Sequence, residues 1–315
     1  MIRHFGAMLA LLLLLSLSGA AADTIKVVVP FAAGGPVDLL ARLVSSDMQT
    51  RLNTEMVIEN RGGGGGVIAT EQVARAPADG KTLLFASSGS HVISAALRAG
   101  QLNYDAVKSF APIAFVGAVP MLVIVSPDYP AKTLGELIAK AKTDKLSYGS
   151  AGAGSTMHII GELINAEAGI KTTHVPYKGV APALNDLLGG HIQLLSADLP
   201  VLEPLVKSGK VHALALFATE RSPLLPDLPT SAELGYPRML MNNWYGMLAP
   251  AGTPSNVQAT LEKAMLEAMK SPLVSQRLAA GGVVGGTDGK GFADRLVKDA
   301  AYWGTELKNL GIQGE

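Results

Sequence analysis

Apolar residues in this chain come in short β-branched blocks that alternate with helically spaced stretches. Residues 25–29 form such a block and stop at Pro30, which predicts a strand. Gly34 and Gly35 follow, then Pro36, which suits a first helical turn because its missing N–H would be unpaired there anyway. Leu39, Leu40, Leu43 and Val44 recur at helical spacing. The order then repeats: a strand at 56–59, the glycine loop NRGGGGG, and a helix from about 67 to 75. PADG turns into a third strand at 82–86, which ends in SSGSH. This β-α-β-α-β succession predicts a parallel sheet with helices on its faces.

Residues 122–125 predict another strand, and Thr133 with Glu136 three positions on predicts a capping box that opens a helix. A second α/β series follows. It has a strand at 146–149, the loop SAGAGST, and a helix at 157–168. Next come a strand at 172–175, the loop PYKGVAPA, and a helix at 183–188. IQLLSAD is a buried-looking strand, 201–207 a helix and 211–217 a strand. ERSPLLPDLPTSAELGYP is irregular, MNNWYGMLAPAG is a late strand and turn, and 256–310 is helical with breaks near Gly281 and Gly285. The tail is expected to pack back on the first series, so the chain crosses twice between lobes, near 119–125 and 242–248. Two α/β lobes with two crossings enclose a cleft, where small ligands bind. The expected division is a leader at 1–22, one domain from 23–121 plus 246–315, and a second from 122–245.

Composition narrows the class. A chain of 315 residues is long enough for two domains, and 48% apolar against 17% charged residues supports a sizeable core. The formal charge is zero, so no basic field exists for nucleic acid. The first residues have Arg3, an apolar run over 7–17, and the small residues Gly19, Ala20, Ala21 and Ala22. That pattern predicts a secretory signal cut after Ala22. Its removal takes one base and no acid, leaving a formal charge of −1 against 26 acids. No other segment is long and apolar enough to predict a membrane span. The chain has no cysteine, hence no disulfide and no lipid-anchored residue after the leader. A free periplasmic protein of a Gram-negative bacterium is the expectation.

Candidate chemistry gathers at the strand-to-helix loops PFAAGGPVD, SSGSH, SAGAGSTMH and PYKGVAPA. In open α/β sheets such loops lie outside the carboxyl ends of the strands, where ligands bind. The N–H groups and dipole of a helix start favour an anion, and small residues let it approach the backbone. Two such loops across a cleft suit a carboxylate. Nucleotide and hydrolase signatures are missing: GAGST lacks a third spaced glycine, and neither a Walker loop nor G-x-S-x-G occurs. Ser155, His158 and Asp198 resemble a triad only by type. Ser155 and His158 share one helix start, where Ser155 reads as an N-cap. His158 and Glu162 stand four apart without a second cluster of metal-ligating residues, and read as a polar pair. Asp38 suits the first turn of its helix. Asp198 either accepts hydrogen bonds from a ligand amine or hydroxyl, or caps the helix at Leu199. Lys178 either pairs with a ligand carboxylate or stands in solvent. Trp244 either walls the pocket or fills core.

The blocks VVVPFAAGGPVDLLARLV, VIENRGGGGGVIATEQVARAPADGKTLLFASSGSH, YGSAGAGSTMHIIGELI, HVPYKGVAPALNDLLGGHIQ and SAELGYP with WYGMLAPAGTP occur in this order. Together, from about Ile25 to the end, they resemble the tripartite tricarboxylate transporter substrate-receptor family, the Bug or TctC receptors. The resemblance implies an α/β, two-domain periplasmic binding protein of type II-like, Venus flytrap form, with two crossing strands as hinge. It implies no enzyme activity, no cofactor and no metal. The implied partners are a small carboxylate ligand and the large and small subunits of a membrane permease, with the receptor itself a monomer. Carboxylate-holding positions of the family match Phe31, Ala32, Ala33 and Gly34 in the first loop. In the second loop they match Ser150, Ala153, Gly154, Ser155 and Thr156. The rest of the pocket matches Ser87, Ser88, Ser90, His91, Tyr177, Lys178 and Asp198. Three departures stand out. Ala32 and Ala33 replace prolines, Gly62 replaces a proline, and Met157 replaces a smaller polar residue. An apolar Met157 is expected to favour a ligand with a larger apolar body. Alternative expectations are a sensing receptor for a signalling partner and, further off, a secreted hydrolase using Ser155.

Overall fold

The computed structural model describes residues 24–312, so the expected leader and its cleavage site lie outside the described residues. Strand β1 (Thr24–Val29) lies between β2 (Glu55–Asn60) and β3 (Thr82–Ser87), parallel to both. Val27, Val28 and Val29 are fully buried, which is why this block carries β-branched residues on both faces. Helices α1 (Pro36–Leu52) and α2 (Val67–Ala74) make the crossovers. Gly34, at φ +83°, turns β1 into α1, a conformation that penalises any residue with a Cβ. Beyond β3 a helical turn at Gly89–Ile93 runs into α3 (Ser94–Leu97).

The largest departure from the sequence pattern is β4 (Phe110–Val125), four times the length expected from 122–125 alone. Pro112, Gly117 and Pro120 interrupt it, and it is buried on nearly every residue, so no two-residue period marks it. Its first part pairs antiparallel with β9 (Asn242–Pro250), which in turn flanks β3. Its last part, Met121 to Val125, pairs with β7 (Leu194–Asp198) and β8 (His212–Leu216). One strand therefore threads both lobes.

The second lobe continues from β7 to β5 (Ser147–Ser150) and β6 (Thr173–Pro176), all parallel. Helix α4 (Leu134–Ala141) opens on the Thr133–Glu136 capping box, with both reciprocal bonds made. Helices α5 (Thr156–Ala168), α6 (Val180–Leu188) and α7 (Leu199–Lys207) follow β5, β6 and β7. The chain returns through Met241, which accepts from Met121 N–H and donates to Phe217 O, and enters β9. The tail, α8 (Ser255–Lys270), α9 (Pro272–Ala280), β10 (Thr287–Asp288) and α10 (Gly289–Asn309), packs back on the first lobe as expected. β10 pairs with β4, and Phe292 and Leu296 of α10 are fully buried. The result is a two-lobed α/β fold with two crossing strands between the lobes.

Candidate functional site

Each of the two glycine loops is wired from behind by side chains. Asp38, in the first turn of α1, accepts from Gly34 N–H (2.9 Å), Asn60 Nδ2 (3.0 Å) and Arg42 Nε (3.0 Å). Asn60 also donates to Phe31 O (3.0 Å), which ties the loop to the end of β2. Burial pushes the Asp38 carboxyl up, but Arg42, Gly34 and Asn60 outweigh it and hold it below the usual range. The aspartate is thus a loop anchor as well as a dipole partner.

The loop after β5 rests on two imidazoles. Ser150 Oγ is 2.6 Å from His174 Nε2 and accepts Gly152 N–H (3.0 Å). Gly154 N–H donates to His158 Nδ1 (3.2 Å), and His158 N–H donates to Ser155 Oγ (3.3 Å). Ser155 is therefore the N-cap of α5, as its sequence position predicts. The His158 and His174 rings lie 4.3 Å apart, with Tyr148 against His174. Tyr148 also donates to Glu162 (2.5 Å). Burial, His174 and Arg98 push His158 down to about 3, so it stays neutral and its Nδ1 remains an acceptor.

That shift has a pH signature. A His held below its ordinary value stabilises the fold fully above pH ~6.5 and loses that contribution as pH falls toward the folded value. Asp198 shifts the opposite way, so the difference between two proteins isolates the histidine. The melting temperature of wild type is expected to drop more between pH 6.5 and 4.5 than that of His158→Gln. Parallel pH profiles would refute the assignment.

Between the two loops lies a small cavity. Phe31, Gly35, Pro36 and Val37 line it from the N-terminus of α1. Ala151, Ser155, Thr156 and Met157 line it from the N-terminus of α5. Ser87, Val180, Ala197 and Asp198 close the sides, and Met121 and Asn243 come from the crossing strands. No lysine or arginine is among these residues. Two helix N-termini therefore supply the positive potential, in an otherwise largely apolar chamber.

Asp198 sits in a buried network. Asn243 Nδ2 donates to both its oxygens (3.1 Å each), and Tyr245 OH donates to Oδ2. Ser88 Oγ donates to Asn243 Oδ1 (2.9 Å), which fixes the amide with its NH₂ toward Asp198. Burial pushes Asp198 up to about 7, partly offset by Tyr245 and Asn243. Asp198 makes no side-chain cap bond to α7, so its carboxylate is committed to this network and the cavity.

The lobes meet at the cavity rim. Ala32 N–H donates to Lys178 O (2.9 Å), and Arg98 Nη2 donates to Ala153 O (3.1 Å). Glycines make the contact possible. A Cβ on Gly65 would lie 2.0 Å from Ala153 O, one on Gly89 would lie 2.6 Å from Thr156 N, and one on Gly62 would lie 2.8 Å from Lys178 O. These glycines serve lobe-to-lobe approach.

Of the residues expected in the pocket, Phe31, Ser87, Ser155, Thr156 and Asp198 face the cavity. Ala32, Ala153 and Lys178 stand at the rim and contribute backbone atoms, while Ala33 and Gly34 are exposed. Ser88 supports Asn243, Ser90 bonds Ser87, Ser150 bonds His174 and Gly154 bonds His158. His91 is fully buried against Phe110, bonded to Ala106 O (2.6 Å). Tyr177 OH is turned to Asp186 (2.6 Å). Met157 lines the cavity, whereas Trp244 fills core, with Nε1 on Asp299 (2.7 Å) and its ring against Phe292. Trp244 lies between Asn243 and Tyr245 on β9, and strand alternation points it to the opposite face. Met121 and Asn243 fall in the two expected crossings and Val180 in the PYKGVAPA loop, but none of the three was singled out as a pocket residue.

Residues 40–311 match the tripartite tricarboxylate transporter family receptor. The chain is 34% identical over 263 residues to protein BugT of Bordetella pertussis, covering 83% of this chain and 81% of that one. It is similar to the solved periplasmic binding protein BugD, at TM-score 0.86 and 34% identity over 92% of this chain and 98% of that one. A solved R. palustris protein with adipate gives TM-score 0.86 and 33% identity, again over 92% and 98%.

Proposed function

This chain belongs to the tripartite tricarboxylate transporter receptor family, and on that premise we propose that it captures a small organic acid in the periplasm and delivers it to a membrane permease of one large and one small subunit. The observation that carries this is the cavity between the N-termini of α1 and α5, whose lining includes no basic side chain. An anion there is held by backbone N–H groups and helix dipoles. The adipate in the R. palustris neighbour supports an organic acid as the class.

The domain division that fits this role is 23–121 plus 246–315 for one lobe and 122–245 for the other. The hinge runs through Met121 and Asn243. Phe31, Ser87, Ser155, Thr156 and Asp198 contact the ligand, and the remaining expected residues shape or support its loops. The protein works as a monomer that makes and breaks no covalent bond, reached through the N-terminal leader. Ligand contacts to both lobes favour the closed form over the open one.

A thermal-shift screen of the mature protein, stripped of ligand by unfolding and refolding, tests this. Di- and tricarboxylates, aromatic acids, hydroxy acids and amino acids are the panel. A binding acid at a hundredfold excess over its Kd adds about 2.7 kcal/mol. That corresponds to a rise of roughly 4 °C in melting temperature for a chain of this length. No shift with any acid would overturn the proposal.

A further inference from the structure

We infer that the ligand is a monocarboxylate that also carries a hydrogen-bond donor, a hydroxyl or an ammonium, and that Asp198 selects it and turns dicarboxylates away. This inference rests on the carboxylate receptor proposed above and specifies which acids it takes. Asp198 is 1% exposed, lines the cavity, and is the only titratable side chain among the described residues that does so. A carboxylate offers about four acceptor sites. Asn243 and Tyr245 direct three hydrogen bonds at it, leaving an acceptor position for the chamber.

The neighbours of Asp198 favour its acceptor form. Asn243 and Tyr245 both donate to it, and hydrogen bonds to a carboxylate favour ionisation. Ser88 holds the Asn243 amide in the donating orientation. Among the described residues, Tyr245 of β9 is the only titratable group bonded to Asp198, and it stays protonated because burial and Asp198 itself raise it well above its ordinary value. No cation on the wall answers the buried carboxylate, which leaves it costly as an anion and pushed up to about 7. A ligand hydroxyl or ammonium supplies the missing donor. The second carboxylate of a dicarboxylate would bring another anion into a chamber whose lining residues include no cation. The helix N-termini can receive one carboxylate without help from Asp198.

The test is isothermal titration of refolded full-length mature protein with acids of four to six carbons. Each dicarboxylate is compared with its unsubstituted monocarboxylate and with the 2-hydroxy, 2-amino, ω-hydroxy and ω-amino monocarboxylates of the same length. At least one donor-bearing acid is expected to bind tenfold or more tightly than both the dicarboxylate and the unsubstituted acid. Asp198→Asn is expected to cut that advantage at least tenfold. Should that variant not fold, wild type answers by pH. Affinity for the donor-bearing acid is expected to fall between pH 8 and 6, as Asp198 takes a proton. A dicarboxylate binding best, or binding more tightly at pH 6 than at pH 8, would overturn the inference and leave the receptor proposal standing. Equal binding of acids with and without a donor would do the same. Binding of no acid at all would sink the receptor proposal itself.

Discussion

Gly89→Ala is expected to lower ligand affinity ten- to a hundredfold while leaving the melting temperature of the ligand-free protein nearly unchanged. Gly89 belongs to the first lobe, and its added methyl would meet Thr156 N of the second lobe at 2.6 Å. Overpacking at a rigid backbone contact costs about 1–3 kcal/mol, and here the cost falls on the closed form alone. On the hinge motion proposed above, opening separates Gly89 from Thr156, so the lobes themselves are expected to fold normally. A ligand that needs closure then binds more weakly in proportion to the lost closed population. Gly65→Ala adds a clash with Ala153 O at 2.0 Å, but its φ of +65° also strains the first lobe, so Gly89 is the cleaner site. Gly135→Ala, with open space around it inside α4, is the control and is expected to bind as wild type. Titration calorimetry with an acid found by the screen gives the affinity, and small-angle scattering gives the ligand-induced compaction. An unchanged affinity in Gly89→Ala would show that closure at this rim does not contribute to binding.

Asn243→Ala is expected to destabilise the protein by about 3 kcal/mol, or roughly 5 °C in melting temperature for a chain of this length. The amide is the shared partner of Ser88, Asp198 and Tyr245, all buried at the crossing strands. Its loss leaves Asp198 with Tyr245 as its remaining donor and leaves the Ser88 hydroxyl without its acceptor. The penalty also depends on pH, with a definite sign. Asp198 is raised above its unfolded value, so its contribution is fully present below the unfolded pKa and lost as pH rises through about 7. Removing a donor that favours the charged form raises it further. The variant is therefore expected to lose more stability at pH 8 than at pH 5. Denaturant unfolding at both pH values measures this, and a loss under 0.5 kcal/mol or the opposite pH trend would refute the role given to Asn243.

Much of the fold was legible because its signals are local. The β-branched block before Pro30, the Gly34–Gly35–Pro36 turn, the Thr133–Glu136 box and the Ser155 cap each involve residues a few positions apart. Their conformational preferences act within a single turn or strand, and the structure has each of them. β4 was legible only at its end, because a strand buried on both faces has no alternation and its proline and glycine bulges read as breaks. Asn243 and Met121 lay in the expected crossings, but the roles of their side chains were not legible, since these depend on two strands far apart in the chain packing side by side.

The glycine loops show the division most plainly. Their order after strands and before helices announces two α/β lobes and two helix N-termini able to hold an anion, and that much follows from backbone sterics and the helix dipole. Whether a given glycine faces a ligand, supports a loop or receives the opposite lobe does not follow from its neighbours in the chain. Gly65 and Gly89 were set apart by Ala153 and Thr156, which stand on the other lobe and meet them only where the two lobes pack together. The same holds for Asp198. Its place at the end of a buried strand was visible in IQLLSAD, but its network with Asn243, Tyr245 and Ser88 comes from packing across the hinge. Local chemistry set the elements and the helix N-termini that face the cleft, whereas long-range contacts, which reward the chain only after both lobes are assembled, assigned each residue its part.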